Sequence, residues 1–384
     1  MNCNTVKIAI LMLTIMMVIS LTSCVFGGGN YQQDGVEYYV DSDNAIVVNI
    51  HRNAPSKLVI PNEIKGVPVE SIRIAHRIFN FDPVLIRELI LPDTIKSINF
   101  SVYYKCHKLQ YNEYDNGLYL GTVDNPYFAF IRVKEGEKTV EQYSFNSLND
   151  TTKPEKATAP IPEFYNGTSY VTTCEIHPDT KIIAHSAFAN AHNLESIVIP
   201  DGVVYINPYA FVNCESLKNV TIGNGVKEIG YRAFMECSSL KSIYISESVE
   251  NLEGAIWRCG SLESIEVSQD NPYYKSIDGN LYNKDGTILL LYATGKSNEA
   301  FIIPEGVTEL RGCFSNLNKF KYLVIPSSVT SIYTDDYLPL LEHIYYCGTE
   351  ESLNEMLYYD LMKYNEATFH YDCDYDNIVF DDLK

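Results

Sequence analysis

The sequence predicts a β-rich solenoid in which each repeat of about 22–23 residues supplies one short parallel strand. Three observations predict it. Four consecutive segments (175–194, 196–217, 219–240 and 242–262) align, with equivalent positions 22 or 23 residues apart. Within them, fixed places recur. An aromatic place holds Phe188, Phe211 and Phe234, then Ile256. Three residues on stand Ala191, Cys214, Cys237 and Cys259, and then Leu194, Leu217, Leu240 and Leu262. Finally, each copy carries an alternating apolar pair: Ile197/Ile199, Val220/Ile222, Ile243/Ile245 and Ile265/Val267. Alternation with a period of two marks a short strand with one buried face.

The return segment of each repeat follows from its punctuation. Pro200 and Gly223 end their strands, and a second apolar pair comes next: Val203/Ile206, Val226/Ile229 and Val249/Leu252. One such unit cannot bury its own face. Stacked copies bury a continuous core, and three or more are needed.

Before the repeats, Lys7 ends a short n-region and Ile8 to Ile19 is an apolar run of 12 residues. A bilayer span needs about 20, so the run reads as a secretory h-region. Leu21-Thr22-Ser23-Cys24 resembles the bacterial lipobox, in which the chain is cut before the cysteine and the cysteine is acylated. Residues 1–23 are then a lipoprotein signal peptide, and 24–30 an acylated Cys24 on a Gly-rich tether. Two or more acyl chains give lasting membrane anchorage where one gives marginal binding. Residues 31–57 read as an N-terminal β cap and 58–384 as the solenoid. The pattern runs upstream through 58–64 and 89–109, where Tyr103 and Cys106 take the aromatic and cysteine places, and downstream through 301–310, 322–332 and 343–349.

Two stretches break the period, near 110–173 and 268–300. In the second, Asp278-Gly279 and Asp285-Gly286 beside alternating apolar residues read as hairpin turns. Both stretches are expected to be β-hairpin insertions on the side of one solenoid.

Composition limits the function. The formal net charge is −20, and −21 (28 − 49) once residues 1–23, with their single lysine, are removed. Nucleic-acid binding needs a basic face, so that class is excluded. Ten cysteines in 384 residues are too dilute for a disulfide scaffold.

The unit I-x-I-P-x-x-V-x-x-I-x-x-x-A-F-x-x-C-x-x-L, with the S-I-D-G-N-L-Y-N-K-D-G-T insertion at 276–287, resembles the BspA-like (treponemal type) leucine-rich repeat family. The resemblance covers roughly residues 36–371. It implies a leucine-rich repeat solenoid, displayed at the cell surface, that binds other molecules, as adhesins do. It carries no catalytic residues over. The chain departs from the pattern at 73–88, at Gly254–Trp257 and at 333–341.

The remaining chemistry reads as structural. The Cys106, Cys214, Cys237, Cys259 spacing is the repeat spacing, as expected of buried thiols acting as small hydrophobes. There is no C-x-x-C pair, and no zinc-protease, nucleophile-elbow or P-loop motif. Cys347 and Cys373 are the candidate disulfide pair. His177, His185 and His192 read as separate, locally bonded side chains, and Asp372-x-Asp374-x-Asp376-Asn377 as a solvated acidic tail that lacks the glycine and glutamate of a calcium loop. No metal and no cofactor is expected.

If Ile197 and Ile199 point inward, their neighbours point out. The outward column is Val198, Thr221, Tyr244, Glu266, Ile302, Val324 and Tyr345, with Ser196, Asn219, Ser242 and Ser264 beside it. Tyrosine offers large contact area and a polar handle at low entropic cost. The resulting expectation is a non-catalytic lipoprotein of the cell envelope, held by Cys24 outside the cytoplasm, whose column binds a protein or cell-surface ligand. A glycan is the second candidate partner, captured by aromatic platforms around Trp257, Tyr273 and Tyr274. An envelope hydrolase is a third reading.

Overall fold

A computed structural model describes residues 28–51, 53–74, 86–100, 109–134, 171–314, 319–333, 338, 340–356 and 367–378. Cys24, Tyr103 and Cys106 lie outside the described residues. The chain divides into two compact units, the first holding residues 1–112 and 119–129, the second 113–118 and 130–384.

In the first unit, Gly29–Gln33, Val36–Val40 and Ala45–Ile50 pair antiparallel in sequence order. Asp34 (φ 49°) and Gly35 (φ 78°) form the left-handed two-residue turn that matches strand twist. Parallel pairing then begins. Ala45–Ile50 pairs with Val67–Ile74, which pairs with Ser97–Phe100. Lys57–Val59 lies beside Glu88–Ile90, with Leu58 opposite Leu89. Tyr38, Val47, Leu58, Ile72, Leu89 and Ile98 are buried between these strands.

The second unit is a solenoid with three strands per turn in its regular stretch. Ser196–Ile199 pairs with Asn219–Ile222, and Ser242–Ile245 with Ser264–Val267, all parallel and in register. Ile182–Ile183, Tyr205–Ile206 and Glu228–Ile229 form a second parallel ladder. Phe234–Met235 and Ile256–Trp257 form a third. The single strand expected per repeat is therefore the longest of three, because both apolar pairs and the aromatic place each make backbone bonds to the neighbouring rung.

The recurring residues acquire reasons. At the aromatic place, Phe130, Phe188, Phe211 and Phe234 stack nearly parallel, with centroids 4.5, 4.7 and 5.0 Å apart. At the cysteine place, each thiol donates to the phenylalanine carbonyl of the preceding rung: Cys214 to Phe188 (3.1 Å), Cys237 to Phe211 (3.2 Å) and Cys259 to Phe234 (3.0 Å). Burial pushes the Cys214 thiol up to about 12 and holds Cys237 well above the ordinary thiol value. Gly225 stands where an added Cβ would lie 1.9 Å from the Asp201 carbonyl oxygen, so no larger residue fits that corner.

Two columns of left-handed residues turn the chain. One runs Ser186, Tyr209, Arg232, Gly254; the other runs Asn190, Asn213, Glu236, Arg258. Left-handed φ costs a non-glycine residue about 1–2 kcal/mol. Inter-rung bonds hold it in place: the amides of Tyr209, Arg232, Asn213 and Glu236 donate to the carbonyls of Tyr231, Gly254, Met235 and Trp257 on the next rung.

The insertion near 268–300 departs from expectation. Tyr274–Ile277 and Asn280–Asn283 form the hairpin around Asp278-Gly279. The next strand, Ile288–Leu291, is no side appendage: it pairs parallel with Glu309–Arg311, which pairs with Ser331–Tyr333. The chain re-enters the ladder inside the interruption. The earlier interruption behaves alike, since Ala129–Val133 neighbours Ile182–Ile183 in one sheet and Phe130 starts the aromatic stack.

Toward the C-terminus, Ala300–Ile302, Tyr322–Ile325, His343–Tyr346 and Thr368–His370 form one parallel ladder. Its core mixes tilted and edge-on rings, with Tyr292 4.5 Å from Phe301 and 5.2 Å from Phe320. The helix Glu350–Met356 buries Leu353, and its first turn is capped by Thr349, whose hydroxyl accepts from the Ser352 amide (3.2 Å). Among the described residues, no helix is long and apolar enough to cross a membrane.

Candidate binding face

The outward column is set by strand alternation. Ser196–Ile199, Asn219–Ile222 and Ser242–Ile245 each read exposed, buried, exposed, buried. Val198 (63% exposed) stands opposite Thr221 in register, and Tyr244 (47% exposed) opposite Glu266. Thr221 and Glu266 are exposed as well. The apolar Val198 and the aromatic Tyr244 are thus held in water two rungs apart, with Thr221 on the rung between them, on strands whose inward residues anchor them.

The column changes past the hairpin. Ile302 is exposed, and Tyr345 is half-buried. Val324 does not face water: it is 0% exposed. That placement corrects the alternation argument, because the whole strand Tyr322–Ile325 is buried on both faces. In register, Val324 lies between Ile302 and Tyr345, longer side chains that shade a short isopropyl group. An aromatic cluster stands at this end. Tyr322 stacks on His343 (5.5 Å), Tyr345 stacks on His370 (4.4 Å), and His343 Nδ1 lies 3.1 Å from His370 Nε2. His370 was missed because the repeat count stops before it. The alternation of Phe369 and Tyr371 was the available signal.

The other candidates resolve into local structure. His177 packs edge-on against Tyr114, and its Nδ1 accepts from the Asp179 amide. His185 is 2.7 Å from the Ser186 hydroxyl, and burial pulls it down to about 4. His192 approaches Glu215 at 3.8 Å. The three do not converge, and among the described residues no cluster of three or more His, Cys, Asp or Glu side chains is placed to hold a metal. The Asp374 side chain accepts from the Asp376 amide (3.3 Å) and from the Asn377 side chain (2.8 Å), and so caps the 3-10 turn Tyr375–Asn377. Cys347 and Cys373, the candidate disulfide pair, are both free thiols. Burial first, and then the neighbouring Cys373, raise Cys347 to about 11. Of the aromatic platforms, Tyr274 is engaged as a brace: its hydroxyl bonds the Leu252 amide and the Glu250 carbonyl, both at 3.3 Å. Trp257 is half-buried with two guanidinium groups over its ring, Arg232 at 4.5 Å and Arg258 at 5.1 Å.

Fold and face together define a leucine-rich repeat solenoid. A family model described as "BspA type Leucine rich repeat region (6 copies)" matches residues 72–159, 180–284 and 292–379, and the chain belongs to that family. No curated protein matches it significantly. Among solved structures it is similar to the pneumococcal vaccine antigen PcpA, at 19% identity over 83% of this chain and 72% of that one, with a TM-score of 0.40. It is also similar to a leucine-rich repeat protein from Eubacterium ventriosum (20% identity, 83% and 72% covered, TM-score 0.41). A third is a leucine rich cell surface protein from Faecalibacterium prausnitzii (17%, 85% and 97%, TM-score 0.30).

Proposed function

We propose that this protein is a surface lipoprotein, acylated at Cys24, whose strand face binds proteins of a host or of neighbouring cells without catalysis. One observation carries the reading: the row Val198, Thr221, Tyr244, Glu266, on two successive pairs of parallel strands, keeps the apolar Val198 and the aromatic Tyr244 in water. Exposed apolar groups in a row mark an interaction surface more strongly than single ones. Few such contacts give weak monovalent binding. Many acylated copies on one membrane raise it by effective concentration. The net charge of −20 holds the body off an anionic lipid surface, which keeps the strand face accessible.

The test is direct binding of the chain to an array of host matrix proteins, bacterial surface proteins and glycans. A protein hit weakened at least tenfold by Tyr244→Ala supports the reading. A protein hit indifferent to Tyr244→Ala and Tyr345→Ala removes the face from the account. Turnover of an envelope substrate moves the weight to a hydrolase.

A further inference from the structure

Arg232 differs from Arg258 and Arg311, the arginines nearest to it in the second unit. Its guanidinium carbon lies 4.9 Å from the Tyr231 ring centroid and 4.5 Å from that of Trp257. Its backbone is held by the bond from its amide to the Gly254 carbonyl (2.7 Å). Among the described residues, no carboxylate or carbonyl accepts from the guanidinium itself. The contrast with its neighbours is plain: Arg258 pairs with Glu236 (3.1 Å), and Arg311 with Glu309 (2.6 Å) and Glu253 (3.8 Å). Arg232 is half-buried, in a chain of net charge −20.

The surroundings are built where the repeat departs from its pattern. Tyr231-Arg232-Ala233-Phe234-Met235-Glu236 is followed one rung on by Glu253-Gly254-Ala255-Ile256-Trp257-Arg258. Gly254 replaces a side chain at the left-handed corner, and a Cβ there would lie 2.8 Å from the Tyr231 ring. The missing side chain is the seat of that ring. Trp257 stands opposite Met235 in register and supplies the second ring. A guanidinium held over aromatic rings keeps its in-plane N–H fork available for a carboxylate, while the contacts to the rings cost it no donor.

We propose that Arg232, with Tyr231 and Trp257, binds the carboxylate of a uronic-acid sugar residue. A uronic acid carries its carboxylate on a rigid pyranose ring. Its C–H face can therefore rest on the half-exposed Tyr231 ring while its carboxylate takes the bidentate fork. A glutamate side chain could take the fork only by freezing its own rotamers, with nothing gained from the rings. The site lies at the corner after the second ladder, away from the column of Val198 and Tyr244, so the proposal does not rest on the protein-binding reading. Because the chain is acidic, the sugar is drawn in by short-range contact alone, and binding to one site is weak.

Trp257 is the chain's one tryptophan and reports on the site directly. The full chain is titrated with an oligosaccharide of alternating uronic acid and N-acetylhexosamine, with its carboxyl methyl ester, and with a glutamate-rich peptide. Binding is read by tryptophan emission and independently by calorimetry. The expected result is saturable binding of the acid form, at least tenfold weaker for the ester and for the peptide. Arg232→Gln and Arg232→Lys each weaken the acid form at least tenfold with an unchanged melting midpoint, because an ammonium lacks the planar fork. No calorimetric binding of the acid form overturns the proposal, as does an ester bound equally well. So does an Arg232→Gln variant that binds as the parent does. A peptide bound as tightly as the sugar overturns the assignment to a sugar.

Discussion

Phe211→Ala tests the stacked interior at its most regular point. Phe211 is fully buried between Phe188 at 4.7 Å and Phe234 at 5.0 Å, with ring planes 12° and 3° apart. Truncating a buried phenylalanine costs about 3–5 kcal/mol, part transfer and part cavity. The two ring pairs account for roughly 1–3 kcal/mol of that, at about 0.5–1.5 each. Phe211→Leu fills most of the space and gives up mainly the ring pairs, so it should cost about 2 kcal/mol less than alanine. Rungs contact only their neighbours, so the damage stays local. Urea unfolding gives the two costs, and hydrogen exchange gives their reach. Protection should fall in the strands from Ile182–Ile183 to Ser242–Ile245 and hold in Glu309–Arg311 and Ser331–Tyr333. A Phe211→Ala cost below about 1 kcal/mol, or an equal loss of protection in the two regions, would refute the reasoning.

The other predictions concern titration, thiols and anchorage. His185 titrates at about 4 in the folded chain because burial disfavours its charged form, against 6.5 for the free side chain. The unfolded state therefore binds the extra proton between those values, and stability present above pH 6.5 is lost as pH falls to 4. Wild type should lose about 2–3 kcal/mol more than His185→Gln between pH 7 and pH 4 in denaturant titrations; equal losses would show that burial is absent. Among the cysteines of the described residues, Cys347 and Cys373 should react first with a thiol reagent at pH 8 in the native protein. Cys174, Cys214, Cys237, Cys259 and Cys313 should react only on unfolding, since all five are buried. Rapid native labelling of Cys214 or Cys237 would contradict the ladder. Cys24→Ser should release the protein from membranes to the soluble fraction; retention would end the lipoprotein reading.

The regular stretch was legible because every rung repeats one solution to the same packing problem. Phe, Cys and Leu each fill one place, and alternation fixes which strand residues are inward. Where the chain leaves the period, the sequence misleads. Ile288–Leu291 stands 21 residues before its parallel partner Glu309–Arg311, close to the repeat spacing, but it follows the Asp285-Gly286 turn and also pairs antiparallel with Asn280–Asn283, so it reads as a hairpin strand and its place in the ladder shows only in the backbone pairing. Val324 shows a second limit. Alternation states which way a side chain points, whereas burial depends on the neighbouring rungs, and here Ile302 and Tyr345 close over it. The Arg232 cluster shows a third. The departure at Gly254–Trp257 was visible as a break in the pattern, but the positive φ at Arg232 (55°) and Gly254 (65°), which brings the rings and the guanidinium together, is a backbone property.

The dissociation constant of the strongest protein ligand bears most directly on the central claim that the strand ladder is the binding face. It is measured for wild type, for Val198→Ser with Tyr244→Ala, and for Arg232→Gln as a control at the distant corner. A loss of at least tenfold, about 1.4 kcal/mol, in the double variant with the control unchanged is the result expected of a face centred on those side chains. Wild-type affinity in the double variant, with both variants folded, would contradict the claim and place recognition elsewhere on the solenoid.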